Sequence, residues 1–92
     1  MKVNLELSKL ILYKSAWLKD QKKRATIEAS ISKLFISESI KKACLDAVQI
    51  HGANGYMKEF EIERDLRDSI ASSIYSGTSE IQKNIISSLL GL

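Results

Sequence analysis

The places where this chain could do chemistry are few. It has one histidine, His51, and one cysteine, Cys44, so neither a CxxC pair nor a His pair exists, and a converging metal-ligand set is not expected. Ser76, His51 and several acids formally offer a Ser-His-Asp arrangement, but nothing in their spacing brings them together. Two short stretches hold more interest. In "IYSGTSEIQKNII", residues 74–86, a small hydroxyl, Ser76, stands between Tyr75 and Gly77 just ahead of an amphipathic helix start. In "HGANGY", residues 51–56, two glycines and an asparagine follow a long apolar run. Each sets small residues where backbone amides can approach a ligand. The first does so at a helix N-terminus, where free amides and the helix dipole favour a phosphate or an electron-rich group. By themselves, stretches this short read as ordinary turns.

The elements that must position them are helical. Val3, Leu7, Leu10 and Trp17 follow a helical period, joined by Leu5, Ile11, Leu12, Ala16 and Leu18, and predict a helix over about 3–21. Its apolar face is wide enough to be contacted on two sides, as in a bundle or at a subunit interface. "KDQKKR", 19–24, reads as a solvated connection. Thr26 is expected to cap a second helix over about 27–51, with Glu28 near its positive end. On that helix Ile27, Ile31, Leu34, Phe35, Ile40, Ala43, Cys44, Ala47 and Ile50 are apolar, and Lys33, Ser37, Lys41 and Lys42 fall between them. "HGANGYMKEF" reads as a loop, because its glycines permit positive φ. Ile62, Leu66, Ile70 and Ile74 predict a third helix, about 60–74, whose Arg64, Arg67 and Asp68 read as mutual salt bridges. Thr78 or Ser79 caps a fourth, about 79–90, and Ser79 with Gln82 fits an S-x-x-Q capping box.

With no proline and no period-2 alternation, the 92-residue chain is expected to be all-α, an antiparallel four-helix bundle-like single domain with the two long helices forming a hairpin. Composition is that of an ordinary globular protein, 45% hydrophobic and 27% charged. The net charge of +3 is dispersed, so no nucleic-acid partner is expected. No signal-peptide h-region or membrane-length apolar run is visible. The single cysteine, set in an apolar helical stretch, fits a reducing, cytoplasmic setting.

"DAVQIHGANGYMKEFEIERDLRDSIASSIYSGTSEIQKNII" resembles the C-terminal segment of the acyl-CoA dehydrogenase family. Members carry a D-A-x-Q-x-x-G-G-x-G stretch ending in Tyr or Phe, then E-x-P followed by an acid and a base, then R-D, then an I-Y-E-G-T-x-E-I-Q turn. "LYKSAWLKDQ" and "ASISKLFISE" look like the two preceding helices of the same domain, so the resemblance covers essentially the whole chain. It implies a flavoprotein whose complete subunit has an N-terminal helical domain, a central β domain and a C-terminal helical bundle, with FAD held among them and a neighbouring subunit. Gln49, Ile50, His51, Gly52 and Ala53 then correspond to a loop against the FAD of an adjoining subunit. Thr78, Ser79 and Glu80 correspond to a second FAD-contacting turn, and Gly77 to a position near the acyl-CoA thioester.

Three departures from the family pattern bear on activity. Many members carry at position 76 the glutamate that removes the α-proton of the thioester, and an unactivated serine is far too weak a base to replace it. Ala53 stands where glycine is common, and Glu61 where proline is usual, loosening a turn. Glu80 reads as a helix-start acid and His51 as a packing or cofactor-edge residue. The expectation is a domain of an acyl-CoA dehydrogenase-like flavoprotein with no catalytic residue of its own, inactive alone, completed by a second copy or by a partner polypeptide supplying the other domains. The alternative is a non-catalytic, self-associating helical module.

Overall fold

The computed structural model describes all 92 residues, Met1 to Leu92, and contains helices and no strand. In chain order these are α1 (Lys2–Asp20), α2 (Thr26–His51), α3 (Ala53–Tyr56), a 3-10 turn (Lys58–Phe60), α4 (Ile62–Ser72) and α5 (Ser79–Leu89). The four long helices lie within about two residues of their expected limits, because each rests on a sustained apolar period. The stretch read as the loop "HGANGYMKEF" is instead folded into α3 and the 3-10 turn. Only Gly52 there has a positive φ, +59°; Gly55 does not.

Of the expected caps, that of Thr26 on α2 does not form, and α5 is capped by Thr78 alone rather than by a Ser79–Gln82 box. Ala25 holds the cap position of α2, and Thr26 is already its first helical residue with no side-chain bond to a free amide. The capping box is also absent: Thr78 is the N-cap of α5, its Oγ1 accepting from the Ile81 amide at 3.2 Å, while Ser79 and Gln82 turn elsewhere. On α4 the arginines pair backward, Arg67 with Glu63 at 2.8 Å and Arg64 with Glu61 at 3.3 Å, rather than with Asp68.

The architecture is a hub. α1, α4 and α5 each pack on α2, and α1 meets neither α4 nor α5. What lies at these contacts is small: Ser15 of α1, Ser30, Ser32, Ser37 and Cys44 of α2, Ser69 of α4 and Ser79 of α5 are all buried. Small side chains let helix axes approach closely, and several of the hydroxyls bond back to their own helix, as Ser15 does to the Ile11 carbonyl at 2.9 Å and Ser37 to Lys33 at 2.7 Å. Many large apolar residues are exposed instead. Val3 is 71% exposed, Leu10 67% and Ile50 78%, and no large side chain is fully enclosed. The molecule is elongated, 47 × 23 × 18 Å. Its accessible surface of 6656 Å² exceeds the roughly 5,400 Å² of a compact monomer of this mass.

Candidate functional site

The turn joining α4 to α5 is held from beneath by one side chain of α2. Lys33 donates from Nζ to the carbonyls of Ser72 and Gly77, both at 2.8 Å, and its ammonium lies 5.9 Å from the centre of the Tyr75 ring. Gln82 Nε2 donates to the Ser76 carbonyl at 3.4 Å. The chain folds tightly enough to meet these donors because Ser76 and Gly77 both take positive φ, +54° and +91°. Glycine suits position 77 by its φ of +91°; a Cβ there would also stand 2.7 Å from Gln82 Nε2, the movable end of a side chain.

This inward turn of the carbonyls fixes what faces outward. Across a trans peptide the C=O and the following N–H point in opposite directions. The amides of Gly77 and Thr78 are therefore directed away from Lys33 and Gln82, and neither has a backbone acceptor within the chain. They sit at the positive end of α5, with Glu80 in its first turn. Two adjacent free donors at a helix start suit a ligand oxygen. Ser76 is exposed at the tip of the turn.

Ser79 anchors the start of α5. It is buried, and its hydroxyl donates to Glu38 Oε1 of α2 at 2.6 Å, which is why it is unavailable as a capping-box residue. Lys41 pairs with the other Glu38 oxygen at 2.8 Å. Lys41, and then the Ser79 hydroxyl, hold the Glu38 carboxyl below its usual range. A carboxylate with a depressed folded pKa contributes stability above its unfolded value, and loses it as pH falls through the folded one. Acidification below about pH 5 is thus expected to weaken the attachment of α5, by under about 1 kcal/mol because the pair is partly solvated. The measurement is the urea midpoint across this range in the native chain and in Glu38→Gln. An equal acid loss in both would rule the pair out as its source.

The second stretch lies farther along α2. Gln49 and Ile50 are exposed on its last turn, and Gly52 ends the helix at φ +59°. His51 is exposed, and its Nδ1 donates to the Ala47 carbonyl at 2.8 Å, leaving Nε2 free to face solvent or a ligand. Ala53 opens α3 with an ordinary negative φ, so the absence of glycine there imposes no backbone strain. Gly55 is the buried residue of this corner: a Cβ on it would meet the Val48 carbonyl oxygen at 2.5 Å. Glu61 replaces proline in a stronger sense than a loosened turn. It begins α4 at φ +61°, a value the proline ring, fixed near −65°, does not reach.

The two stretches do not meet in one pocket. The turn is tied to α2 at Lys33 and Glu38, whereas Gln49 lies eleven residues beyond Glu38, about 16 Å along a helix rising 1.5 Å per residue; α3 and α5 make no contact. Ser76 and His51 accordingly form no catalytic pair, and no group of three or more His, Cys, Asp or Glu is placed to hold a metal ion. No helix is long and apolar enough to cross a membrane.

This arrangement has a known counterpart. The family model of the acyl-CoA dehydrogenase C-terminal domain matches residues 1–90. The chain belongs to the acyl-CoA dehydrogenase family. It is 48% identical over 90 residues to the caffeyl-CoA reductase-Etf complex subunit CarC of Acetobacterium woodii, covering 98% of this chain and 24% of that relative. Among solved structures, the prolyl acyl carrier protein oxidase AnaB superposes with a TM-score of 0.97 at 54% identity, covering 100% of this chain and 24% of AnaB. The FAD complex of PigA does so at 0.96 and 42%, again covering 100% and 24%. The chain thus spans about a quarter of the length of these acyl-CoA dehydrogenase relatives.

Two residues that shape the site were not singled out from the sequence. Lys33 and Glu38 fall among the polar positions of α2, and a lysine on a polar face reads as solvated. The available signal is spacing: Lys33 and Glu38 lie five apart on α2, and Lys33 reaches the α4–α5 turn while Glu38 reaches the start of α5.

Proposed function

We propose that this chain is the C-terminal helical part of an FAD-dependent dehydrogenase of acyl thioesters, and that it contributes two edges of flavin sites without enclosing a flavin by itself. The supporting observation is the separation of Gln49–Ala53 from Thr78–Glu80, the first exposed and the second carrying exposed Glu80 beside the free amide of Thr78. In this reading Gln49, Ile50, His51, Gly52 and Ala53 lie against one FAD, while Thr78, Ser79 and Glu80 line another, Ser79 by fixing the helix start through Glu38. Gly77 offers its free amide toward the thioester. The residues fit such a group, since the outward amides supply donors and the exposed α2 end supplies an apolar and imidazole edge. When bound, FAD provides the acceptor for the substrate's hydride. This chain's part is to bind and orient, and Ser76 brings no carboxylate to the turn.

Completion requires a second copy or a polypeptide carrying the other domains. The surplus surface and the outward Val3, Leu10 and Ile50 favour such an assembly, because apolar area left bare on this scale recruits a cover. A cytoplasmic, reducing setting accompanies the proposal and agrees with the free, buried thiol of Cys44.

Flavin absorbance and fluorescence test the reading. The purified chain is expected to be colourless, and to take up FAD in stoichiometric amount only when co-purified with a polypeptide supplying the remaining family domains. In that complex Ser76→Glu is expected to raise acyl-CoA dehydrogenation. Stoichiometric FAD on the chain alone would overturn the shared-site reading. A colourless, self-associated chain that takes up no flavin in the complex either would favour the non-catalytic module instead.

A further inference from the structure

We propose, independently of the flavin reading, that the elbow between α1 and α2 is a hinge across which two copies of this chain exchange their α1 helices. Each α1 then packs on the α2 of the other copy, through the contacts it makes within one chain. α1 meets α2 and no other helix, so its departure disturbs neither α4 nor α5.

The register of the seam runs through the elbow without a break. Within α1 only Asn4, Ser8, Ile11, Ser15 and Leu18 are not exposed, and steps of four and three residues separate them. Continued at the same steps, the series passes Lys22, Ala25 and Ala29 and reaches Ser32, Ile36, Ser39 and Ala43 of α2. None of these last four is exposed, and Ile36, Ser39 and Ala43 line one cavity with Asn4 and Ser8. A seven-residue repeat keeps one face of a helix toward its partner. A helix continuous from α1 into α2 therefore presents both halves of the seam on one side, and two such helices lie antiparallel with the seam remade between chains.

The elbow itself resists opening only weakly. Gln21 to Ala25 includes no glycine or proline, and its glutamine, lysines, arginine and alanine are strong helix formers. The chain turns there by a Schellman motif, in which the Lys22 amide donates to the Lys19 carbonyl and the Lys23 amide to that of Leu18, both at 2.9 Å. The left-handed position of that motif, usually glycine, is Lys22 at φ +55°, a strained value for an L-residue that a continuous helix relieves. α2 starts without a side-chain cap, and the amides from Arg24 to Glu28 have no backbone acceptor. A continuous helix supplies each of them with one. Short hinges under strain favour exchange. Charge opposes it: the two-fold axis of the exchanged pair falls at the elbow and brings together Lys22, Lys23 and Arg24 of both copies, with Asp20 the acid beside them.

The test mixes isotopically heavy and light copies of the native chain at high concentration and joins them with a carbodiimide, which links a lysine amine to a carboxylate in contact. Lys14 and Glu28 face each other across the seam at 4.0 Å. Sedimentation is expected to show a concentration-dependent dimer that carries Lys14–Glu28 links between heavy and light chains. The dimer is expected to strengthen as salt screens the cations of the elbow. Lys22→Gly supplies the residue that the turn prefers and disfavours the continuous helix, so it keeps the fold. It is expected to weaken dimerisation by about tenfold for each chain, about a hundredfold for the pair. A chain that is monomeric at every concentration, or a dimer whose Lys14–Glu28 links stay within one chain, would overturn the proposal. So would a dimer that salt weakens or that Lys22→Gly leaves as strong. None of these readouts depends on flavin.

Discussion

Lys33→Met is expected to lower the stability of the chain by about 2–3 kcal/mol, the cost of stripping a charged donor from part-buried carbonyls. Two acceptors, on Ser72 and Gly77, lose their only side-chain donor at once, and methionine fills the space without replacing either bond. Against the roughly 5–14 kcal/mol available to a domain of this size the loss is large. It is also expected to be local in its structural effect. The Ser79 amide, bonded to the Ser73 carbonyl at 3.1 Å, should exchange its hydrogen faster than in the native chain by more than the amides of the α1–α2 hairpin do. Lys33→Arg, which retains donors, should recover part of the loss. Urea midpoints and amide exchange check both statements. An unchanged midpoint with unchanged Ser79 protection would show that the turn holds itself.

Gly55→Ala is expected to be comparably damaging for a different reason. The added methyl would stand 2.5 Å from the Val48 carbonyl oxygen and 3.0 Å from both Val48 Cα and His51 Cβ. Two of these atoms belong to the backbone of α2 and cannot swing aside, so α3 must lift from α2, at about 2–3 kcal/mol by analogy with overpacked cores. Gly52→Ala is the internal comparison. Nothing lies within 4 Å of its Cβ position, but its φ of +59° with ψ −138° is a sparsely populated conformation for an L-residue, costing about 1–3 kcal/mol. Thermal or urea denaturation should rank Gly55→Ala below Gly52→Ala. The reverse order would mean that backbone conformation, not close packing, sets this corner. Displacement of Gln49–Ala53 should follow only from the first substitution, and the His51 resonances would report it.

Much of this was legible in the chain. Sustained periods of three and four residues located the long helices, since a helix that must bury one stripe repeats its apolar residues at that spacing. Short motifs in fixed order carried the family. Less was legible where one residue type serves two ends. Gly55 was read as a turn glycine with conformational freedom, and the structure uses it for close approach. Thr26 has the chemistry of a cap, but the chain enters α2 with Ala25 at the cap position. The serines, spread along α1, α2, α4 and α5, gave no hint that they would be the most deeply buried residues of the helix contacts.

By itself, then, the sequence determined the helical class and the approximate element limits, because these follow from local period and from residue identity. Tertiary structure alone decided that Lys33 reaches under the turn to Ser72 and Gly77, that Ser79 is claimed by Glu38, and that Gln49–Ala53 and Thr78–Glu80 lie apart. Those facts depend on how far apart segments distant in sequence come to rest along α2, and spacing along a chain does not encode a distance across it.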